Sequence, residues 1–190
     1  VKDCLKSVDK FYNSSLDHTL SMWFQNIDVN RYGVLYNTDP HVIEGAGYNN
    51  GSNPAQSLGF HLGDGNAWSV GISAISTDFI KSAWTHLVVA KEGTTWKYYV
   101  NGQLKKTFVA TTQTANTPAD LVFGASTCCS TWPGFTQWPN EEFLGKMDDI
   151  GLWNRALSDA EVLALFESCD APVPVITGVT QICRGTESTY

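Results

Sequence analysis

From Thr19 to about Trp153, apolar and polar side chains alternate with a period of two in short runs, and Gly, Asn, Asp, Ser and Pro separate the runs. In TLSMWF, Leu20, Met22 and Phe24 share one face while Ser21 and Trp23 take the other. SLGFHL places Leu58, Phe60 and Leu62 together, and AWSVGI does the same for Trp68, Val70 and Ile72. Each run offers one face to a core, which is the pattern of an antiparallel all-β domain. Trp84 to Phe108 predicts a three-strand meander. A Glu-Gly turn divides its first two runs, and Asn101-Gly102, a pair suited to two consecutive positive φ angles, divides the second from the third. Between Tyr36 and Ser57 the Gly/Asn/Pro-rich stretch reads as one long loop, and loops of that length are uncommon without a role or disorder.

One helix is signalled, over about Asp159 to Glu167. Ser158 and Glu161 form Ser-x-x-Glu, so the hydroxyl caps the third helical N–H while the carboxylate reaches back, and Leu157 can pack on Val162 as a staple. Val162, Leu165 and Phe166 share one side. Beyond Cys169, Asp170, Pro172 and Pro174 read as a linker. The expected layout is a two-sheet antiparallel β-sandwich with one short C-terminal helix over residues 1–169, a linker at 170–175, and the truncated start of another module at 176–190. The chain thus reads as a piece of a larger multidomain protein.

At 190 residues the chain can bury a substantial core without staples. Its net charge of -7 and the lack of clustered cations, Lys105 and Lys106 being the adjacent pair, argue against nucleic acid as a partner. No run approaches the ~20 apolar residues of a membrane span. The five cysteines include no C-x-x-C pair, so a zinc site of the usual spacing is not expected, whereas disulfides and an oxidising compartment are. Cys4 and Cys169 bracket the domain, and since domain termini often lie close together, a bridge between them is expected. Cys128 and Cys129 fit either a vicinal bridge or two free thiols, and Cys183 lies in the tail.

Thr19 to Phe24, Trp84 to Lys91, Trp96 to Leu104, Leu121 to Gly124 and above all FLGKMDDIGLWNRALSDAEVLA, Phe143 to Ala164, form an ordered set. Together they resemble the laminin-G-like, concanavalin-A-like jelly-roll domains of secreted bacterial and animal proteins. The opening VKDCLKSVDKFYNSS lacks that family's usual apolar strand with an Asp-Gly pair. The resemblance implies two sheets packed face to face, with rim loops. PVPVITGVTQICRGTESTY resembles the start of an immunoglobulin-like or PKD-like module of bacterial surface proteins, which implies export and cell-surface or extracellular display.

Candidate sites follow. On a regular strand Asp148 shares a face with Ile150 and Leu152, toward the core, and a buried carboxylate needs a partner. The resemblance implies a rim calcium with Asp148 as a ligand; backbone or Arg155 hydrogen bonds are the metal-free alternative. Trp132, Phe135 and Trp138, set among Pro133, Gly134 and Pro139, offer flat faces on which sugar rings can stack, or else fold down as a lid over a sandwich end. Tyr48, Asn49 and Asn50 can complete a polar ligand edge, or simply turn the chain. Glycosidases need two carboxylates at a fixed separation, which on a sheet takes the form Glu-x-Asp-x-x-Glu; no such run occurs, and Glu141 and Glu142 would face opposite ways. His61 and His86 lie in strands without a nucleophile elbow and read as packing residues, and Gly63-Asp64-Gly65-Asn66 reads as a hairpin turn. The expectation is a non-catalytic module that binds glycan or another extracellular ligand through rim loops. A structural spacer and, behind it, a glycoside hydrolase are the alternatives.

Overall fold

The computed structural model describes residues 5–7, 10–26, 33–39, 44–49, 57–65, 68–76, 82–110, 116–125 and 142–168, with residues 39, 48, 49 and 68–76 described by backbone alone. Its strands are β1 (Leu5–Lys6), β2 (His18–Asn26), β3 (Gly33–Asp39), β4 (Glu44–Asn49), β5 (Ser57–Gly63) and β6 (Trp68–Ser76), then β7 (Thr85–Glu92), β8 (Thr95–Val100), β9 (Gln103–Val109), β10 (Asp120–Phe123) and β11 (Gly145–Trp153). Helix α1 (Asp159–Ser168) follows. A six-stranded sheet runs β1-β10-β3-β4-β5-β6 and a five-stranded sheet β11-β2-β7-β8-β9, each pair antiparallel. The all-β sandwich with its short C-terminal helix is as the alternation predicts.

The faces close on one another as their periodicity requires. Leu20, Met22 and Phe24 of β2, Leu58, Phe60 and Leu62 of β5, and Trp96, Tyr98 and Val100 of β8 share a single buried cluster. The meander is formed as read, with Asn101 at φ 50 and Gly102 at φ 73 in its second turn. The turn after β5 is a hairpin, Gly63 pairing with Trp68.

The outer face of the five-stranded sheet is also covered. Ser158 and Glu161 exchange backbone bonds at 3.3 and 2.8 Å, so the capping box starts α1 where it was expected. Leu157 and Val162 then pack with Val88, Ala90 and Tyr99, while Trp153 and Leu165 flank them. Thr19 ties this closing segment to β2, its hydroxyl donating to the Arg155 carbonyl and accepting from the Leu157 N–H, both at 2.8 Å. Phe166 stacks on Trp23 and His86 with ring centroids 5.6 and 6.1 Å away. Ser21 and Trp23, which alternate away from the main core, are therefore buried as well.

The stretch read as one loop from Tyr36 to Ser57 contains a strand, β4, paired with β3 and β5. Glycine hid it: the residues alternating with Glu44, Ala46 and Tyr48 are Gly45 and Gly47, so no apolar face announces a strand. The neighbours demand this. A Cβ on Gly47 would lie 2.6 Å from the Gly33 carbonyl oxygen, and one on Gly45 would lie 2.9 Å from Asn37 Oδ1.

Two outcomes follow. Gly47→Ala forces β3 and β4 apart, because the obstructing atom is backbone, and lowers unfolding free energy by roughly 1–3 kcal/mol in urea titration. Burial pushes the His86 imidazole down to about 4, below its unfolded value near 6.5. The neutral ring's contribution is thus complete above pH ~6.5 and is lost, by about 3 kcal/mol, as pH falls toward 4. Urea midpoints measured from pH 7 to 4 will show that fall, and His86→Phe will flatten it.

Candidate functional site

The registers fix which connections share an end of the sandwich. Asn26 lies opposite Gly145 and Phe24 opposite Thr85, Gly33 opposite Tyr48, Asn49 opposite Ser57, and Leu58 opposite Ser76. The connections 27–32, 50–56, 77–84 and 124–144 therefore leave from one end, here the loop end. The opposite end carries the shorter turns at 40–43, 64–67 and 93–94, together with 7–17, 110–119 and 154–158.

At the loop end the segment holding Trp132, Phe135 and Trp138 is pinched at its base. The Phe143 N–H donates to the Gly124 carbonyl at 2.8 Å, the Gly124 N–H donates to the Leu35 carbonyl at 3.0 Å, and Glu142 bridges to Val34. Gly124 takes φ 85, which a side chain would resist. Across β3, Gly33 pairs with Tyr48. The two stretches singled out for ligand binding thus spring from β10 and β4, the strands on either side of β3. Trp132, Phe135, Trp138 and Asn50, and the side chains of Tyr48 and Asn49, lie outside the described residues. So do all five cysteines, including the Cys4 and Cys169 of the expected bridge, and the segment 169–190.

Asp148 does not share a face with Leu152. β11 carries a bulge: Asp148 lies opposite Trp23 and Gly151 opposite Ser21, three steps on one strand against two on the other. Asp149, at φ 46, takes up the extra residue. The parity is inverted there, so Asp148 joins Trp23 on the outer face, while Leu152 lies opposite the inward-facing Leu20. Asp148 Oδ1 accepts the Asp149 N–H at 2.9 Å. Arg155, the alternative partner, instead grips Glu161 with both arms at 3.0 and 2.6 Å. Among the described residues no group of three or more His, Cys, Asp or Glu could hold a metal ion, so Asp148 supplies at most one carboxylate toward the roughly 6–8 oxygens calcium takes.

The buried polar centre that pattern reading missed sits at the other end. Glu44 is fully buried, and its oxygens accept from Tyr12 at 2.5 Å, Ser14 at 2.6 Å and Tyr36 at 2.8 Å, with His18 Nε2 3.5 Å away. Burial opposes ionisation, but the charge of His18 and the hydrogen bonds from His18, Ser14 and Tyr12 outweigh it and hold the carboxyl below its ordinary value. Beside it Lys91 Nζ donates to the Ser15 carbonyl at 2.8 Å and lies 5.8 Å from the Trp96 ring centre. The signal for Glu44 was its alternation with Ala46 and Tyr48, masked by the intervening glycines.

Among the described residues, the buried acid and the histidines are engaged within the fold. Glu44 is sealed from solvent, with both oxygens engaged. His86 Nε2 meets Ser21 Oγ at 2.8 Å, but the pair is buried beneath α1 and His86 Nδ1 has no partner to orient it. His61 lies half-buried on the outer face of the six-stranded sheet, and burial lowers its pKa. An open cavity of about 560 Å³ near the start of α1 is lined by Glu92, Lys97, Arg155, Asp159 and Glu161 among others. Four of its charges pair, Lys97 with Asp159 at 2.9 Å and Arg155 with Glu161.

The fold has many relatives among solved structures. Domain 4 of AbnA, a GH43 extracellular arabinanase from Geobacillus stearothermophilus solved with arabinotriose, superposes with a TM-score of 0.63 at 16% identity over 85% of this chain and 71% of that one. A SAP-like pentraxin from Limulus polyphemus gives 0.61 at 16% identity over 91% and 85%. The botulinum neurotoxin serotype D binding domain gives 0.63 at 14% over 88% of this chain and 41% of that one. At such identities the likeness is one of fold. No curated protein matches the sequence. A family model, however, matches residues 5–163, all the described strands and the first half of α1, and the chain accordingly belongs to the concanavalin A-like lectin/glucanases superfamily, as a laminin-G-type domain.

Proposed function

We propose that this domain is a non-catalytic binding module that recognises glycan, or another extracellular ligand, through the loops of its loop end. The observation that supports this reading is the tied base at Gly124 and Phe143: the sequence that holds Trp132, Phe135 and Trp138 continues from β10, and the one that holds Tyr48 and Asn49 ends β4, with β3 between the two strands. Aromatic faces with amides at their edge suit sugar rings, whose C–H faces stack while their hydroxyls hydrogen-bond. Two relatives of this fold support the class: an arabinanase domain solved with arabinotriose, and a neurotoxin binding domain. The same reading makes the chain part of an exported surface protein, with 176–190 opening an immunoglobulin-like or PKD-like module and Cys4–Cys169 closing the domain. It also includes a calcium ion bound in part by Asp148, with loop carbonyls as further ligands.

A printed glycan array that includes arabinotriose tests the binding. Capture by the wild-type domain, with loss of at least about tenfold in Trp132→Ala and Trp138→Ala variants that keep their melting temperature, is the expected result. No capture by a folded wild-type domain, with the tryptophan variants merely unstable, would make it a structural spacer. For calcium, a ligand preferring the native state raises apparent stability, so millimolar calcium should raise the melting temperature over that in chelator, and Asp148→Asn should shrink the rise. Equal melting in both conditions removes the ion from the reading.

A further inference from the structure

Asn26 closes β2 at the loop end. Parity puts its side chain on the face of Leu20, Met22 and Phe24, toward the space between the sheets. It is fully buried, and among the described residues neither Oδ1 nor Nδ2 has a hydrogen-bond partner. Buried polar side chains are nearly always paired, and an exception calls for a reason. At the other end, by comparison, Glu44 meets three hydroxyls and Lys91 a carbonyl.

The backbone around this amide is fixed from several sides. Gly145 pairs across from Asn26 and has no room for a side chain, since a Cβ would lie 2.1 Å from the Gln25 carbonyl oxygen and 2.5 Å from the Phe143 ring. The Ser82 N–H donates to the Asn26 carbonyl at 2.8 Å, and Gln25 Nε2 donates to the Ser82 carbonyl at 2.8 Å. Ser82 itself holds φ 62, a left-handed conformation that persists in a non-glycine residue only where its surroundings over-determine it. The amide thus sits unpaired among the described residues on a well-held support, the condition that preorganises a polar group for a ligand. A carboxamide donates and accepts at once, as do a hydroxyl and another carboxamide, whereas an anion or a cation would leave one of its two atoms unmatched.

We propose that the Asn26 carboxamide is the floor of a ligand subsite at the loop end, taking one hydroxyl or carboxamide group of the bound molecule directly or through a single bridging water. The proposal rests on the glycan reading and adds to it a residue from the body of the sandwich.

Asn26→Leu tests it, being close in volume and apolar. Its melting temperature should equal or exceed that of the wild type, because an unmet donor and acceptor leave the core. Its affinity for the array glycan that the wild type captures, arabinotriose or another, should fall at least about tenfold. Should this variant not fold, the wild-type Asn26 side-chain amide resonances in ¹H–¹⁵N spectra carry the test, and they should shift when that glycan is added. A lowered melting temperature with unchanged affinity and unmoved amide resonances assigns Asn26 to structure alone and overturns the proposal. Capture of glycan through the loop tryptophans with full affinity in Asn26→Leu overturns the subsite and leaves the binding module standing. No capture by the wild type removes both.

Discussion

The wedge of Phe60 from the six-stranded sheet against Trp96 and Tyr98 of the five-stranded sheet holds the two layers together. Its ring centroid lies 5.2 Å from Trp96 and 4.7 Å from Tyr98, and Phe108 of β9 completes the group at 5.8 Å. Interdigitated rings at these separations add to the area they bury, and truncating a core phenylalanine typically costs about 3–5 kcal/mol. Each ring reaches the interface only because every second residue of β5, β8 and β9 faces inward. The alternation read along the chain and the contact that closes the sandwich are one fact seen at two scales.

With the middle held by apolar contact, the two ends are free to differ, and they do. The end with the shorter hairpins holds a cluster of polar groups gathered around Glu44. Tyr12 and Ser14 come from the segment before β2, Glu44 from β4, and His18 and Lys91 from the two paired strands beneath. Burying a carboxylate is costly unless donors surround it, and here three hydroxyls do, so this end has a single tight arrangement. At the other end the backbone is tied at the bases of the connections, through Gly124, Phe143 and Ser82, while Asn26 is left with nothing to bond.

Elements whose signal is local were legible in the sequence. The Ser158–Glu161 box, the Asn101–Gly102 turn and the faces of β2 and β5 each depend on residues within a few positions, and each formed as the pattern required. What the pattern missed depends on partners distant in sequence. β4 is a strand by its pairing with β3 and β5, and it carries glycine where Gly33 and Asn37 crowd it, which no window around EGAGYN can reveal. Glu44 looks like one more loop carboxylate until the fold brings Tyr12, Ser14 and His18 to it. The face of Asp148 was misread for the same reason: parity holds only while a strand stays in register, and one inserted residue reverses it.

That bulge also bears on what the edges of the sheet can pair with. β11 is an edge of its sheet, nine residues long, with Ile150 and Leu152 more than a third exposed. A regular edge of this length would invite another strand. Asp148 and Asp149 interrupt it with a twist and two carboxylates, while the opposite edge, β9, carries Lys105 and Lys106. These charges help to keep both edges of the sheet solitary. The outer face between those edges is occupied by α1, with Phe166 laid on Trp23 and His86. The edges of this sheet are thus guarded and its outer face is covered, so neither is left open for another strand to add or another sheet to pack.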